Sequence, residues 1–178
     1  MIFRLLAFLL FTVFILTPVT AAEHNTELQQ LFEADQNARR DLDVGWDEID
    51  ALDEANRAEV FSMLAKGEIK TGLDYFYAAV IMQHSESVEH IRLAHFFATI
   101  SAQLGYERAK WMQAASWDRL LMYFEQPQWY GTQFSTNDQG EWRLHEVQEG
   151  AVTDEQRAEW RVPSLEESRN RAIERNRN

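Results

Sequence analysis

Leu73-Asp74-Tyr75-Phe76-Tyr77-Ala78-Ala79-Val80-Ile81-Met82 is the most apolar run after residue 22, and its one charge stands at its beginning. An acid suits the first turn of a helix, where it faces the positive end of the dipole, and Thr71-Gly72 opens the run. A helix that is apolar on nearly every face must be buried, so the rest of the chain has to supply elements that surround it. The flanking segments read as those elements. Residues 24–41 place Leu28, Leu31, Phe32 and Ala38 at helical spacing with charges between, and Thr26 is the expected cap. Residues 42–47, around Gly45, read as a break. A second helix is expected from a cap at Asp53 or Asn56, with Val60, Phe61, Met63 and Leu64 on its apolar side and Gly67 as its stop. Residues 47–52 are able to extend it backward. Downstream, Ser85 and Ser87 punctuate, a fourth helix covers residues 88–104 up to Gly105, and a fifth covers 106–125 until Pro127 forbids its continuation.

After Pro127 the texture changes. Residues 129–134 have strand-like composition, Asn137-Asp138-Gln139-Gly140 is turn chemistry, and residues 141–145 alternate, which predicts a small β-hairpin. Thr153-Asp154-Glu155-Gln156 and Ser164-Leu165-Glu166-Glu167 each match a helix-opening capping box, so two short helices close the chain. The second is arginine-rich and is expected to fray. The fold class is therefore mostly α: a helical bundle with a small C-terminal hairpin and short terminal helices. Leu104-Gly105-Tyr106-Glu107-Arg108-Ala109 resembles the corner of a tetratricopeptide or Sel1-like repeat, and Gly72 and Gly105 stand one such repeat apart. Agreement between the two stretches is otherwise poor, which leaves stacked helical hairpins open beside a plain bundle.

The chain has 178 residues, no cysteine and a formal net charge of −12. That length suits one domain. The missing thiols exclude disulfides, thiolate zinc sites and a cysteine nucleophile. The acidity argues against nucleic acid, which demands a basic footprint. Residues 1–4 are a short basic start, 5–16 an unbroken apolar run, and Thr17-Pro18-Val19-Thr20-Ala21-Ala22 adds a helix breaker and small residues. This three-part pattern predicts a signal peptide over residues 1–22, cut after Ala21 or Ala22, with an uncleaved anchor as the alternative. The remaining domain, 23–178, is expected in the periplasm without a membrane span.

The informative residues are polar ones among apolar neighbours. Asp118 shares helical spacing with Trp111, Ala114, Ala115, Leu121 and Met122, and a carboxylate there needs partners or a shifted pKa. It reads either as a structural tie or, with Arg119, as a group reaching into a cavity. Gln83-His84 ends the apolar helix, where histidine is able to cap or to exchange protons. Glu86, Glu89, His90 and His95 lack the spacing of a helical zinc motif and read as a solvated face, so neither a metal nor another cofactor is expected. No nucleophile elbow, Walker motif or dinucleotide fingerprint occurs.

Pro127-Gln128-Trp129-Tyr130-Gly131-Thr132-Gln133-Phe134 resembles the P-Q-x-Y-G-T-Q-F signature of a bacterial family catalogued as a domain of unknown function. The resemblance extends to Ala78, Ala79, Gln83 and His84 upstream, to Asp118 and Arg119, and to Asp154, Arg157, Pro163, Leu165 and Glu167 in the tail, about residues 73–167 in all. Val162-Pro163 departs from the family's two prolines, and Ser85-Glu86 replaces its Ala-Asp. The resemblance implies a shared fold and a shared site, without an activity. It selects the residues the physical reading selects: His84 and Asp118 as catalytic candidates, and Gln83, Arg119, Gln128, Tyr130, Thr132 and Gln133 as ligand-binding ones. Two readings follow. In one, the chain is an interaction scaffold for another envelope protein. In the other, His84, Asp118, Arg119, Tyr130 and Gln133 form a pocket for a small polar ligand or for cofactor-independent acid–base chemistry.

Overall fold

The computed structural model describes residues 22–41 and 43–177, and the expected signal peptide lies outside them apart from Ala22. The described residues form α1 (Thr26–Ala38), α2 (Trp46–Ala65), α3 (Gly72–Gln83), α4 (Val88–Gln103), α5 (Ala109–Tyr123), β1 (Phe134–Thr136), β2 (Trp142–Leu144), α6 (Asp154–Glu159) and α7 (Leu165–Arg175). The mostly helical bundle with a C-terminal hairpin is the class expected. No described helix is long and apolar enough to cross a membrane.

The apolar run is the central helix. All seven residues from Phe76 to Met82 are buried, and α3 packs on α1, α2, α4 and α5. Its start is set by a capping box: Thr71 Oγ1 accepts from Asp74 N, and the Asp74 carboxylate accepts from Thr71 N. Asp74, wholly buried, also accepts from Asn25 N at 2.7 Å and from Lys70 N at 3.1 Å, which ties the entry of α1 to the entry of α3. A carboxylate fed by three backbone donors is the kind of buried charge a core tolerates. Gly72 lets α4 come close: a Cβ there would sit 3.1 Å from Tyr106 Cβ and 3.2 Å from Ser101 O.

Two helix starts differ from expectation. Asn25, not Thr26, caps α1, accepting from Glu27 N and Leu28 N. The second helix begins at Trp46 behind Gly45, so the backward extension prevails, and Asp53 and Asn56 lie buried in its interior rather than at a cap. Ile49, Asp53, Asn56, Val60 and Met63 share one stripe, and burial of that stripe overrides the capping preference of its polar members.

The strand is shorter than its composition suggested. Residues 129–133 are irregular because side chains, not a neighbouring strand, take their amide hydrogens. Pairing begins at Phe134 opposite Leu144 and ends at Thr136 opposite Trp142. Both capping boxes of α6 and α7 form. The arginine-rich end of α7 is held rather than loose: Arg175 lies over the rings of Phe134 and Trp142, and Asn176 bonds the Trp142 backbone through both its amide atoms.

Candidate functional site

The structure divides the sequence-selected residues between two places. The first is a knot around Asp118 on α5. Its side chain is 0% exposed and takes four hydrogen bonds: Oδ1 accepts from Trp129 N (2.8 Å) and Tyr130 N (2.9 Å), and Oδ2 accepts from Thr132 N (3.0 Å) and Thr132 Oγ1 (2.8 Å). Burial pushes the Asp118 carboxyl above the ordinary aspartate value, and the donors from Tyr130, Thr132 and Trp129 pull against it. Gln128, equally buried, donates to Gln133 O and His145 O and accepts from Gln133 N. Gln133 in turn donates to Ala115 O on α5 at 3.1 Å. Gly131 makes the tight turn with φ +81, which a side chain would strain. Arg157, buried on α6, closes the knot from the other side by donating to Trp129 O and Tyr130 O, each at 3.0 Å. These groups bond one another, so Asp118, Gln128, Thr132 and Gln133 position a loop.

The second place holds Gln83 and His84. Both line a cavity of about 410 Å³, whose apolar wall is Phe32, Phe76, Val80, Trp111 and Met112. Its polar side adds Gln36, Arg108 and Arg161 to Gln83 and His84. Tyr130 is not among its lining residues, so the five-residue pocket expected from the sequence is not assembled: Tyr130 and Gln133 belong to the loop. Arg119 diverges from Asp118 by one helical position and lies on the His84 side. Burial, and then the charge of Arg39, lower its pKa, with Glu86 and Asp53 opposing.

Behind His84 is a cluster that the sequence reading passed over. His84 Nδ1 lies 3.1 Å from Asp35 Oδ1, and Asp35 is 1% exposed. A carboxylate only accepts, so Nδ1 carries the proton in this bond. Gln36 Nε2 bonds Asp35 Oδ2 at 2.7 Å. Arg39 reaches Asp35 at 3.3 Å and Asp53 at 2.5 and 2.6 Å. Burial works to raise the Asp35 carboxyl, but His84, Gln36 and Arg39 together hold it below the ordinary value. The signal for Asp35 was present: it follows Leu28 and Phe32 on the buried face of α1, as Asp53 follows Ile49 on α2.

Asp35, Asp53 and His84 place ligand-type atoms within 4.8 Å of one another, the separation a metal ion needs. Arg39 supplies the cation at that point, and a divalent ion would have to displace its guanidinium from both carboxylates. The residues fit an ion-pair cluster better than a metal centre. His95, read from sequence as part of a solvated face, instead points into the α4–α5 interface and bonds Gln113 O and Ser116 Oγ at 3.2 Å. His90 bonds Ser85 Oγ at 2.8 Å. Comparison with family models, with curated proteins and with solved structures finds no match for the chain.

Proposed function

We propose that the chain is an exported binding domain whose His84 cavity takes a small organic anion with an apolar body, a carboxylate or phosphate ester. The observation that carries this reading is the composition of that cavity: two arginines, two glutamines and an oriented histidine among five apolar side chains. Guanidinium groups match carboxylate and phosphate, while the ring-lined wall accepts the ligand's body. Arg108 is stacked 5.5 Å from the Phe76 ring, which limits its freedom before any ligand arrives. The Asp35–His84 hydrogen bond fixes the orientation of the imidazole at the cavity wall. The signal-peptide pattern in residues 1–22 supports export to the periplasm. The resemblance carried by residues 127–134 attaches to the Asp118 loop and not to this cavity.

The test is calorimetric titration with aryl and alkyl carboxylates and phosphates, repeated on Arg108→Gln, His84→Ala and Arg161→Gly. Each variant should weaken binding. Arg161→Gly should do so while raising the melting temperature, because Arg161 sits at φ +56, a conformation that costs an L-residue about 1 kcal/mol. Absence of saturable binding by any such anion would end this reading.

A specific surface supports the second reading, an interaction scaffold for an envelope protein. Phe96, Tyr123 and Phe124 are exposed; the Tyr123 and Phe124 rings meet edge to face, and Arg92, one turn before Phe96 on α4, lies over Phe124. Phe96→Ser with Phe124→Ser should abolish capture of an envelope partner while leaving anion binding untouched.

A further inference from the structure

A second, smaller cavity lies away from His84, where the Asp118 loop meets α4, α5 and α6. It holds about 190 Å³, and its wall contains Trp117, Trp129, Tyr130, Trp160 and His95, with the Gln113 side chain between them. The rings are tilted against each other rather than stacked flat: Trp117–Trp129 at 5.3 Å and 61°, Tyr130–Trp160 at 5.7 Å and 56°, His95–Trp117 at 5.7 Å and 49°. Four tryptophan and tyrosine residues drawn from three segments of the chain therefore line one space.

Two polar side chains of the wall are engaged inside the protein, and the Trp117 indole N–H is buried without a partner among the described residues. Gln113 donates to Thr99 Oγ1 at 2.8 Å, and His95 Nδ1 bonds Gln113 O and Ser116 Oγ. No lysine or arginine lines the space. Burial holds the His95 imidazole below its ordinary value, so it is uncharged at neutral pH. Behind the wall the Asp118 carboxylate touches the backbone of Trp129 and Tyr130, and its charge adds to burial in raising the Tyr130 phenol. The place is an aromatic cavity, with the Asp118 carboxylate and the Arg157 guanidinium both bonded to the loop behind it.

The loop that carries two of these rings is clamped on both sides of its peptide groups. Asp118 takes the N–H groups of Trp129 and Tyr130, and Arg157 takes their carbonyl groups. Such a clamp fixes the rings before a ligand arrives, which spares the ligand the cost of ordering them. It also gives the buried network of residues 128–133 a purpose beyond closing the fold.

We infer that this cavity is an aromatic cage for a quaternary ammonium group, of the choline or trimethylamine-betaine type. A methylated ammonium spreads its positive charge over C–H groups, needs no hydrogen bonds, and is attracted to ring faces by their quadrupoles. The site is independent of the His84 cavity: its lining residues and the sign of charge it selects are both different.

The experiment is titration of the full chain, followed by tryptophan fluorescence and calorimetry, with tetramethylammonium, choline and glycine betaine. Dimethylbutanol, the neutral isostere of choline, and maltose serve as comparisons. The cations should bind saturably, and dimethylbutanol about tenfold more weakly than choline, the size of a desolvated cation–ring attraction. Trp129→Leu and Trp160→Leu keep apolar bulk while removing a ring face, and each should weaken choline by a similar factor with an unchanged far-ultraviolet spectrum. Equal affinity for choline and dimethylbutanol overturns the inference on the wild-type protein alone, whether or not the variants fold. Binding of maltose without the cations, or no binding of any cation, overturns it as well.

Discussion

At the residue scale, Asp118 shows how a buried carboxylate is to be read. Its isolation among apolar neighbours marks it, but the same isolation is compatible with chemistry and with structure. What separates the two is the count of donors. Four hydrogen bonds, three from backbone amides, fill its acceptor capacity, so no lone pair is left for a substrate. Asp118→Asn would turn an amide donor toward a group of donors, at a cost of about 3 kcal/mol for the charged hydrogen bonds lost. Urea denaturation should show that loss. Thr132→Val, which removes one hydroxyl and keeps its amide, should cost about 1 kcal/mol. Anion binding at the His84 cavity should persist in both variants wherever they remain folded. Loss of anion binding with stability intact would return Asp118 to the machinery of the site.

At the scale of elements, two histidines of α4 carry a pH response. Burial lowers the His95 pKa below 6.5, and burial together with Arg57 lowers that of His90. Between the folded values and 6.5 the unfolded chain binds more protons than the folded one, so stability falls as pH falls through that window. Above it the contribution is fully present. Melting curves should therefore be flat above neutrality and decline on the acid side, and His95→Gln, which does not titrate, should reduce the decline. Elements were also where the sequence was most legible. The central helix α3, its capping box, the stop at Gly105 and both C-terminal capping boxes rest on local chemistry that any window of residues displays. Residues 129–133 were not legible as a loop, because their hydrogen-bond partners lie on α5 and α6, far along the chain. Asp53 was mistaken for a cap for the same reason: Arg39, on another helix, makes its burial tolerable. At the His84 cavity, His84 was marked by its place at the end of the apolar helix, and Asp35 was hidden among the charges of α1.

At the scale of the whole molecule, the two cavities proposed for ligands of opposite charge share a chain whose net charge is −12. Charges farther than about 10 Å from a ligand are screened at ordinary ionic strength, whereas groups touching it are screened much less. The global field repels an approaching anion and draws in an approaching cation, and it acts on encounter more than on the final contacts. The arginines of the His84 cavity thus work against the surface that surrounds them, and the aromatic cage works with it. Stopped-flow measurements across a salt series should separate the two. The association rate of an aryl carboxylate should rise as salt screens the repulsion, while that of tetramethylammonium should fall. Dissociation rates, set by contacts inside each cavity, should change less than the association rates. Salt slopes of the same sign for both ligands would mean that one of them does not enter the cavity assigned to it, and Arg108→Gln against Trp160→Leu would show which: the misplaced ligand is the one whose own variant leaves its rates unchanged.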